Sequence, residues 1–171
     1  ISIEYMRLIE EKLGIDIRFA GSSWDEALQA AMEHRVDGVI NANVTVDRQR
    51  RLHFTEPYFR TPDGVLTSSD NERIESAKDF AGKRVGVIRG SARRRVFQNY
   101  STDARMVPVD SVLDAVEQLS EGRLDAFVDE LPVIQNLIDT YHLSNLKLSS
   151  LIFFQDLGTA HVGLRNDDRM M

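Results

Sequence analysis

Two segments of this chain match each other, and that match constrains its fold more than any single motif. Setting Glu26 against Asp114 aligns, without a gap, Ala27 with Ala115, Leu28 with Val116, Arg35 with Arg123, Asp37 with Asp125 and Ile40 with Val128. Each segment reads as apolar residues at helical spacing, then a tight turn, then a short apolar run. A helix, a turn and a buried strand used twice fit an α/β architecture with two similar halves. Any two α/β units share part of this pattern, so the polar residues carry the rest. Asn41 and Asp129 fall at equivalent places, at the carboxyl ends of their strands, where open α/β sheets bind ligands. The repeat therefore predicts two lobes that present strand ends to each other across a cleft.

The α/β alternation continues on either side. Tyr5, Met6, Leu8, Ile9 and Leu13 recur at helical spacing before Gly14, a C-terminal stop. Residues 15–20 alternate like a short strand. Ser22 and Ser23 offer N-cap hydroxyls to a helix over 24–34, and 36–42 reads as a strand. Residues 54–68, with Pro57 and Pro62, are expected to form an extended connector between the lobes. Beyond 73 come a short helix (74–80), a strand (84–88), a helix (91–100), a strand (104–107), a helix (111–120), a strand (124–129) and a helix (132–141). These are βαβ units of a mostly parallel sheet, followed by short strands over 145–151 and 159–164.

Composition narrows the function classes. The 171 residues allow one domain or two small lobes. With 21 Lys and Arg against 27 Asp and Glu, the net charge is -6, which gives no general attraction to phosphate backbones, so no nucleic-acid partner is expected. No apolar run approaches the roughly 18 to 20 residues of a membrane helix. The absence of cysteine excludes disulfides, thiolate catalysis and zinc-thiolate sites. The chain opens at Ile1 inside an amphipathic pattern, so a fragment is expected, with any targeting segment outside it.

The catalytic inventory is poor. His34, His53, His142 and His161 have no metal-ligand spacing, and the stretch Gly86–Ser91 completes neither a nucleophile elbow nor a P-loop; no metal and no cofactor is expected. Ser91 and the amide of Ala92 instead open a helix, where free N–H groups and the helix dipole can hold a carboxylate. Among Arg48, Arg50 and Arg51, just after the first strand, any guanidinium could clamp a carboxylate through two parallel hydrogen bonds; a solvated charge run is the plainer reading. Asp129 can accept from an ammonium or form a structural salt bridge. Arg93, Arg94 and Arg95 are expected on a solvated helix face. Trp24 opens a helix beside the cleft and can stack on a ligand or fill the core. An arginine and a helix start at one place and an aspartate at another suit a zwitterion, hence an amino acid.

The chain resembles family 3 of the bacterial extracellular solute-binding proteins. The resemblance rests on Trp24-Asp25-Glu26-Ala27-Leu28, Val36-Asp37-Gly38-Val39-Ile40, Thr45-x-x-Arg48 and Phe54-Thr55-Glu56-Pro57-Tyr58. It continues through Gly82-Lys83-Arg84-Val85-Gly86-Val87 with Gly90-Ser91, and Gly122-Arg123-Leu124-Asp125-Ala126 leading to Asp129-Glu130. It implies a two-lobed type II periplasmic-binding-protein fold in which lobe one, residues 1–57 and 160–171, is incomplete at both chain ends. Lobe two spans 58–159, and hinge crossings lie near 54–67 and 159–164. By position it makes Arg48 the α-carboxylate clamp, Asn43 its hydrogen-bonding neighbour, Ser91 and Ala92 the second-lobe carboxylate contacts, and Asp129 the ammonium acceptor. The stretch from Asp37 to Arg48 resembles the shorter form found in sensor domains, which leaves Asn41 and Asn43 interchangeable beside Thr45.

The expected function is a non-catalytic, periplasmic or extracytoplasmic module that closes on a small polar ligand, an amino acid. It is read as the sensor input domain of a membrane signalling protein whose effector lies outside this chain. The alternatives are the amino-acid receptor of an ABC transporter, the regulatory domain of a lytic transglycosylase, and a dehydratase-like enzyme using Asp129 or Glu130. Against the enzyme stands the expectation that these adjacent strand residues point to opposite faces.

Overall fold

A computed structural model describes residues 2–154 and 157–166; Ile1 and residues 167–171, expected in lobe one, lie outside them. In chain order the elements are α1 (Ser2–Leu13), α2 (Trp24–Met32), β1 (Gly38–Ala42), α3 (Val46–Gln49), β2 (Leu52–Phe54), β3 (Phe59–Arg60), β4 (Asp63–Ser68), a 3-10 turn (Ala77–Phe80) and β5 (Arg84–Ile88). Then follow α4 (Arg93–Tyr100), β6 (Arg105–Val109), α5 (Val112–Ser120), β7 (Ala126–Glu130), α6 (Leu131–Tyr141), β8 (Leu146–Ile152) and β9 (Thr159–Arg165). The chain divides into two compact units, residues 1–57 with 160–171, and Tyr58–Thr159.

In the first unit β9 lies between β1 and β2 and runs antiparallel to both. Gly38 is opposite Leu164, and a Cβ on it would stand 2.9 Å from the carbonyl oxygen of Gly163. Only glycine lets the two backbones approach so closely. Leu28 and Ala31 of α2 pack on Val39, Ala42 and Leu52, with Trp24 and Phe54 at the margin of this core.

The second unit is a five-stranded sheet in the order β6-β5-β7-β4-β8. Strand β5 pairs in parallel with β6 and β7, whereas β4 pairs antiparallel with β7 and β8. One core packs Leu66, Phe127, Ile134 and Leu137 with Leu119 and Leu124. The other packs Val65, Val85, Ala126 and Val128 against Phe80 and Phe97, whose rings meet edge to face at 4.6 Å between centroids.

The repeat is structural as well as textual. In the register that sets Glu26 against Asp114, α2 superposes in sequence on α5 and β1 on β7, end for end. Ser23 and Ser111 both cap their helices through the side chain, accepting from Glu26 N and Asp114 N. At the other end His34 N donates to Ala31 O and Arg35 N to Ala30 O, while Gly122 N donates to Leu119 O and Arg123 N to Gln118 O. His34 and Gly122 both take the left-handed conformation, with φ of 61° and 70°. Even the surface pairs repeat, Arg35 with Glu33 and Arg123 with Glu121. At the strand starts Asp37 is held by Arg165 and Asp125 by Arg84.

Several sequence expectations need correction. Residues 15–20 form no strand; Arg7 and Glu10 instead tie the backbone of Ile17 to α1, and α1 leaves Leu8 and Leu13 exposed. The supposed connector holds β4, buried between β7 and β8 from Asp63 to Thr67, because its prolines precede the strand and leave its ladder donors intact. The sheet is mixed because β4 lies antiparallel between β7 and β8, so that β8 runs in the same direction as the parallel trio. Helix α3 arises in a stretch whose polar composition hid it.

Candidate functional site

In the first unit the turn after β1 shapes the candidate residues. Asn41, one residue before the end of β1, has φ of 60°, a left-handed conformation that asparagine tolerates better than most residues. Thr45 then caps α3, its Oγ1 accepting from the backbone N–H of Arg48 at 3.3 Å. This turn selects among the three arginines: Arg50 and Arg51 are exposed, whereas Arg48 is 5% exposed. Its Nη1 donates to the carbonyl oxygen of Asn43 at 2.8 Å, and its guanidinium carbon lies 5.4 Å from the centre of the Trp24 ring. Arg48 is thus braced by a neutral carbonyl and an aromatic face. The half-buried Trp24 packs on the core of its unit, and its indole N–H is buried with no acceptor among the described residues.

In the second unit Gly90 turns the chain out of β5 at φ of 72°. Ser91 follows, and its hydroxyl oxygen accepts from Arg93 N at 3.1 Å. Ala92 is the N-cap residue of α4 and has no side-chain cap to offer. Asp129 is 7% exposed near the end of β7, opposite Gly64. Arg93 Nη1 lies 3.3 Å from its Oδ1, which also accepts from Glu130 N at 2.8 Å.

Arg93 corrects the expectation of a solvated basic face. Arg94 and Arg95 are exposed, but Arg93 is buried among three acids. Its Nε and Nη2 both donate to Asp63 Oδ1, at 3.0 and 2.8 Å, and Nη2 is 3.2 Å from Glu130 Oε1. The expectation that Asp129 and Glu130 point apart is corrected too. Glu130 ends β7 as the N-cap of α6, with a backbone no longer in regular strand geometry, and the guanidinium fork reaches both carboxylates.

The electrostatics follow from this enclosure. Burial pushes the Asp129 carboxyl up to about 6 against the lowering effect of Arg93, and burial raises Asp63 also. For Arg93 burial acts downward, but the charges of Asp129, Asp63 and Glu130 outweigh it and hold the guanidinium above its ordinary value. Asp63 Oδ2 is buried with no partner among the described residues.

Neither Asp63 nor Arg93 was singled out as a site residue by sequence. The available signal was an acid leading the apolar strand Val65–Leu66, and an arginine two residues after Ser91. Among the described residues no group of His, Asp and Glu is arranged to hold a metal ion, and no helix is long and apolar enough to cross a membrane.

Known proteins are similar to this chain in sequence and in fold. The profile of the bacterial extracellular solute-binding proteins, family 3, matches residues 1–168. A probable amino-acid ABC transporter-binding protein of Haemophilus influenzae is 24% identical over 153 residues, 86% of this chain and 57% of that protein. The virulence sensor protein BvgS of Bordetella bronchiseptica is 25% identical over 167 residues, 96% of this chain and 13% of that protein. The chain therefore spans little more than half of the transporter protein and a small part of the sensor. Among solved structures, an ancestral arginine-binding protein bound to arginine has the same fold, with a TM-score of 0.83 at 24% identity, covering 98% of this chain and 74% of that one.

Proposed function

The chain belongs to family 3 of the bacterial extracellular solute-binding proteins, and on that footing we propose that it is an extracytoplasmic module that binds an amino acid and serves as the input domain of a membrane signalling protein. The observation that carries the binding reading is Arg48. A guanidinium 5% exposed, fixed by the Asn43 carbonyl and the Trp24 face, is pre-ordered to receive a carboxylate at little entropic cost. In this reading Arg48 takes the ligand α-carboxylate, with Asn41, Asn43, Thr45 and Trp24 shaping its surroundings. In the second unit Ser91 and the Ala92 amide add carboxylate donors and Asp129 takes the ammonium. The family binds solutes, and the three acids of the second unit are already held by Arg93, so no catalytic step is assigned to them.

The sensor assignment is supported by the match to BvgS, which runs through 96% of this chain. A second reading, the receptor of an amino-acid transporter, is supported by the match to the Haemophilus influenzae protein.

A thermal-shift screen of the twenty amino acids and common dicarboxylates tests the binding reading, because a ligand bound only to the native state raises Tm by mass action. A compound at 100 times its Kd adds about 2.7 kcal/mol. The expected result is a Tm increase with at least one amino acid that is lost in Arg48→Ala and Arg48→Gln proteins shown by circular dichroism to be folded. No increase with any compound, on folded wild type, overturns the reading. Ligand-dependent output of an effector in the same full-length polypeptide separates the sensor from the transport receptor.

A further inference from the structure

The second unit already contains a cation where the proposed ligand would bring one. Arg93 is nearly fully buried, and its three nitrogens are spread over Asp63, Asp129 and Glu130. At Asp129 both close contacts, from Arg93 Nη1 and from the backbone N–H of Glu130, fall on the same oxygen, Oδ1. An ammonium approaching the other oxygen would meet the carboxylate and, just beyond it, a fixed positive charge. Like charges that share one acceptor repel, and in a buried setting they are poorly screened.

We propose that Arg93 is a specificity-determining residue: its guanidinium, resident on Asp129, competes with the ligand α-ammonium and so narrows the preference for amino acids over the same acids without an amino group. The module then takes carboxylic acids as a class, recognising them chiefly through the carboxylate at Arg48, with the amino group adding little. This inference rests on the proposed reading of Asp129 as the ammonium contact.

The geometry gives Arg93 this role in preference to its neighbours. Arg94 and Arg95 are exposed on α4, and Arg89 pairs with Asp110 at the surface at 2.7 Å. Arg93, buried where Arg94 and Arg95 are exposed, reaches Asp129 at 3.3 Å. Its own N–H is held by the Ser91 hydroxyl, so the residue that would receive part of a ligand carboxylate also fixes the backbone from which the competing guanidinium extends.

The test measures dissociation constants for matched pairs that differ only in the α-amino group: L-glutamate and glutarate, L-ornithine and 5-aminovalerate, L-leucine and 4-methylpentanoate. In wild type the amino member of any pair that binds is expected to be favoured by no more than about ten-fold. In Arg93→Met the amino member gains about ten-fold or more over its twin, and Arg93→Lys, which keeps the charge, returns the ratio to that of wild type. Should Arg93→Met fail to fold, Arg93→Met/Asp63→Asn, which also removes one of the acids left behind, is read in its place. A wild-type preference above about ten-fold for the amino member, or a ratio unmoved by removal of Arg93, overturns the inference while leaving the binding reading intact. Any amino acid that raises Tm in the screen is paired with its own deamino twin and read in the same way; no binding of any pair and no Tm increase with any of the twenty amino acids, on folded wild type, overturns both.

Discussion

Asp129 keeps its proton to a higher pH in the folded chain than in the unfolded one, because burial disfavours its charged form more than Arg93 restores it. An acid raised in this way binds more protons when folded over the interval from its ordinary value to about 6. Its contribution to stability therefore falls as pH rises through that window and is level above it. Asp63 acts in the same direction, whereas Asp125, lowered by its hydrogen bonds to Arg84, acts oppositely, so the single residue has to be isolated by substitution. The stability of Asp129→Asn relative to wild type is expected to rise between about pH 4 and pH 6.5, read from urea midpoints; a flat difference would refute the raised Asp129. Arg93→Met leaves three carboxylates buried without their cation, and near neutral pH it should cost roughly 3–5 kcal/mol in the same measurement. That loss should shrink towards pH 5 as the acids take up protons. At this scale the residues themselves did not separate Arg48 from Arg50 and Arg51, which only the family resemblance did, and Arg93 was expected on a solvated face. Arg48 and Arg93 sit in runs of arginine, and burial of one member of each run depends on which strand ends lie beneath it.

The repeated helix-turn-strand unit is where local sequence and local structure agree best. Ser23 and Ser111 cap equivalent helices by the same hydrogen bond, so Ser23→Ala and Ser111→Ala should each cost about 1 kcal/mol. The turns that follow differ in one informative way. At the left-handed position the first copy has His34 and the second Gly122, and a side chain there is strained. His34→Gly should therefore stabilise the protein and Gly122→Ala destabilise it, each by roughly 1 kcal/mol in chemical denaturation. Opposite signs at equivalent positions would not arise from a general effect of glycine content. Elements outside the repeat were harder to read. Residues 15–20 alternate as a strand does, but alternation makes a strand only where a partner edge is available. The β4 strand was obscured by its flanking prolines, and its place between β7 and β8 is a pairing between segments far apart in sequence.

For the whole chain, the two units differ in how they are assembled. Tyr58–Thr159 is continuous and contains every strand of its five-stranded sheet together with two apolar cores. Expressed alone, this segment is expected to fold, giving a dispersed amide NMR spectrum and a cooperative thermal transition; a collapsed spectrum would show that its stability depends on the remainder. The first unit takes its central strand β9 from residues far along the chain, so residues 1–57 alone would lack the strand that both β1 and β2 pair with.

The sequence by itself determined the α/β class, the repeat and its caps, and the family to which the chain belongs. These depend on local periodicity, short-range hydrogen bonds and the order of motifs, all of which are written along the chain. Tertiary structure alone decided that β4 inserts antiparallel between β7 and β8, that Arg48 and not Arg50 or Arg51 is enclosed, and that Arg93 pairs with Asp129 from within. Each of these turns on which distant segment supplies a neighbour. The energy of a buried charge is set by those neighbours rather than by the residues beside it in sequence.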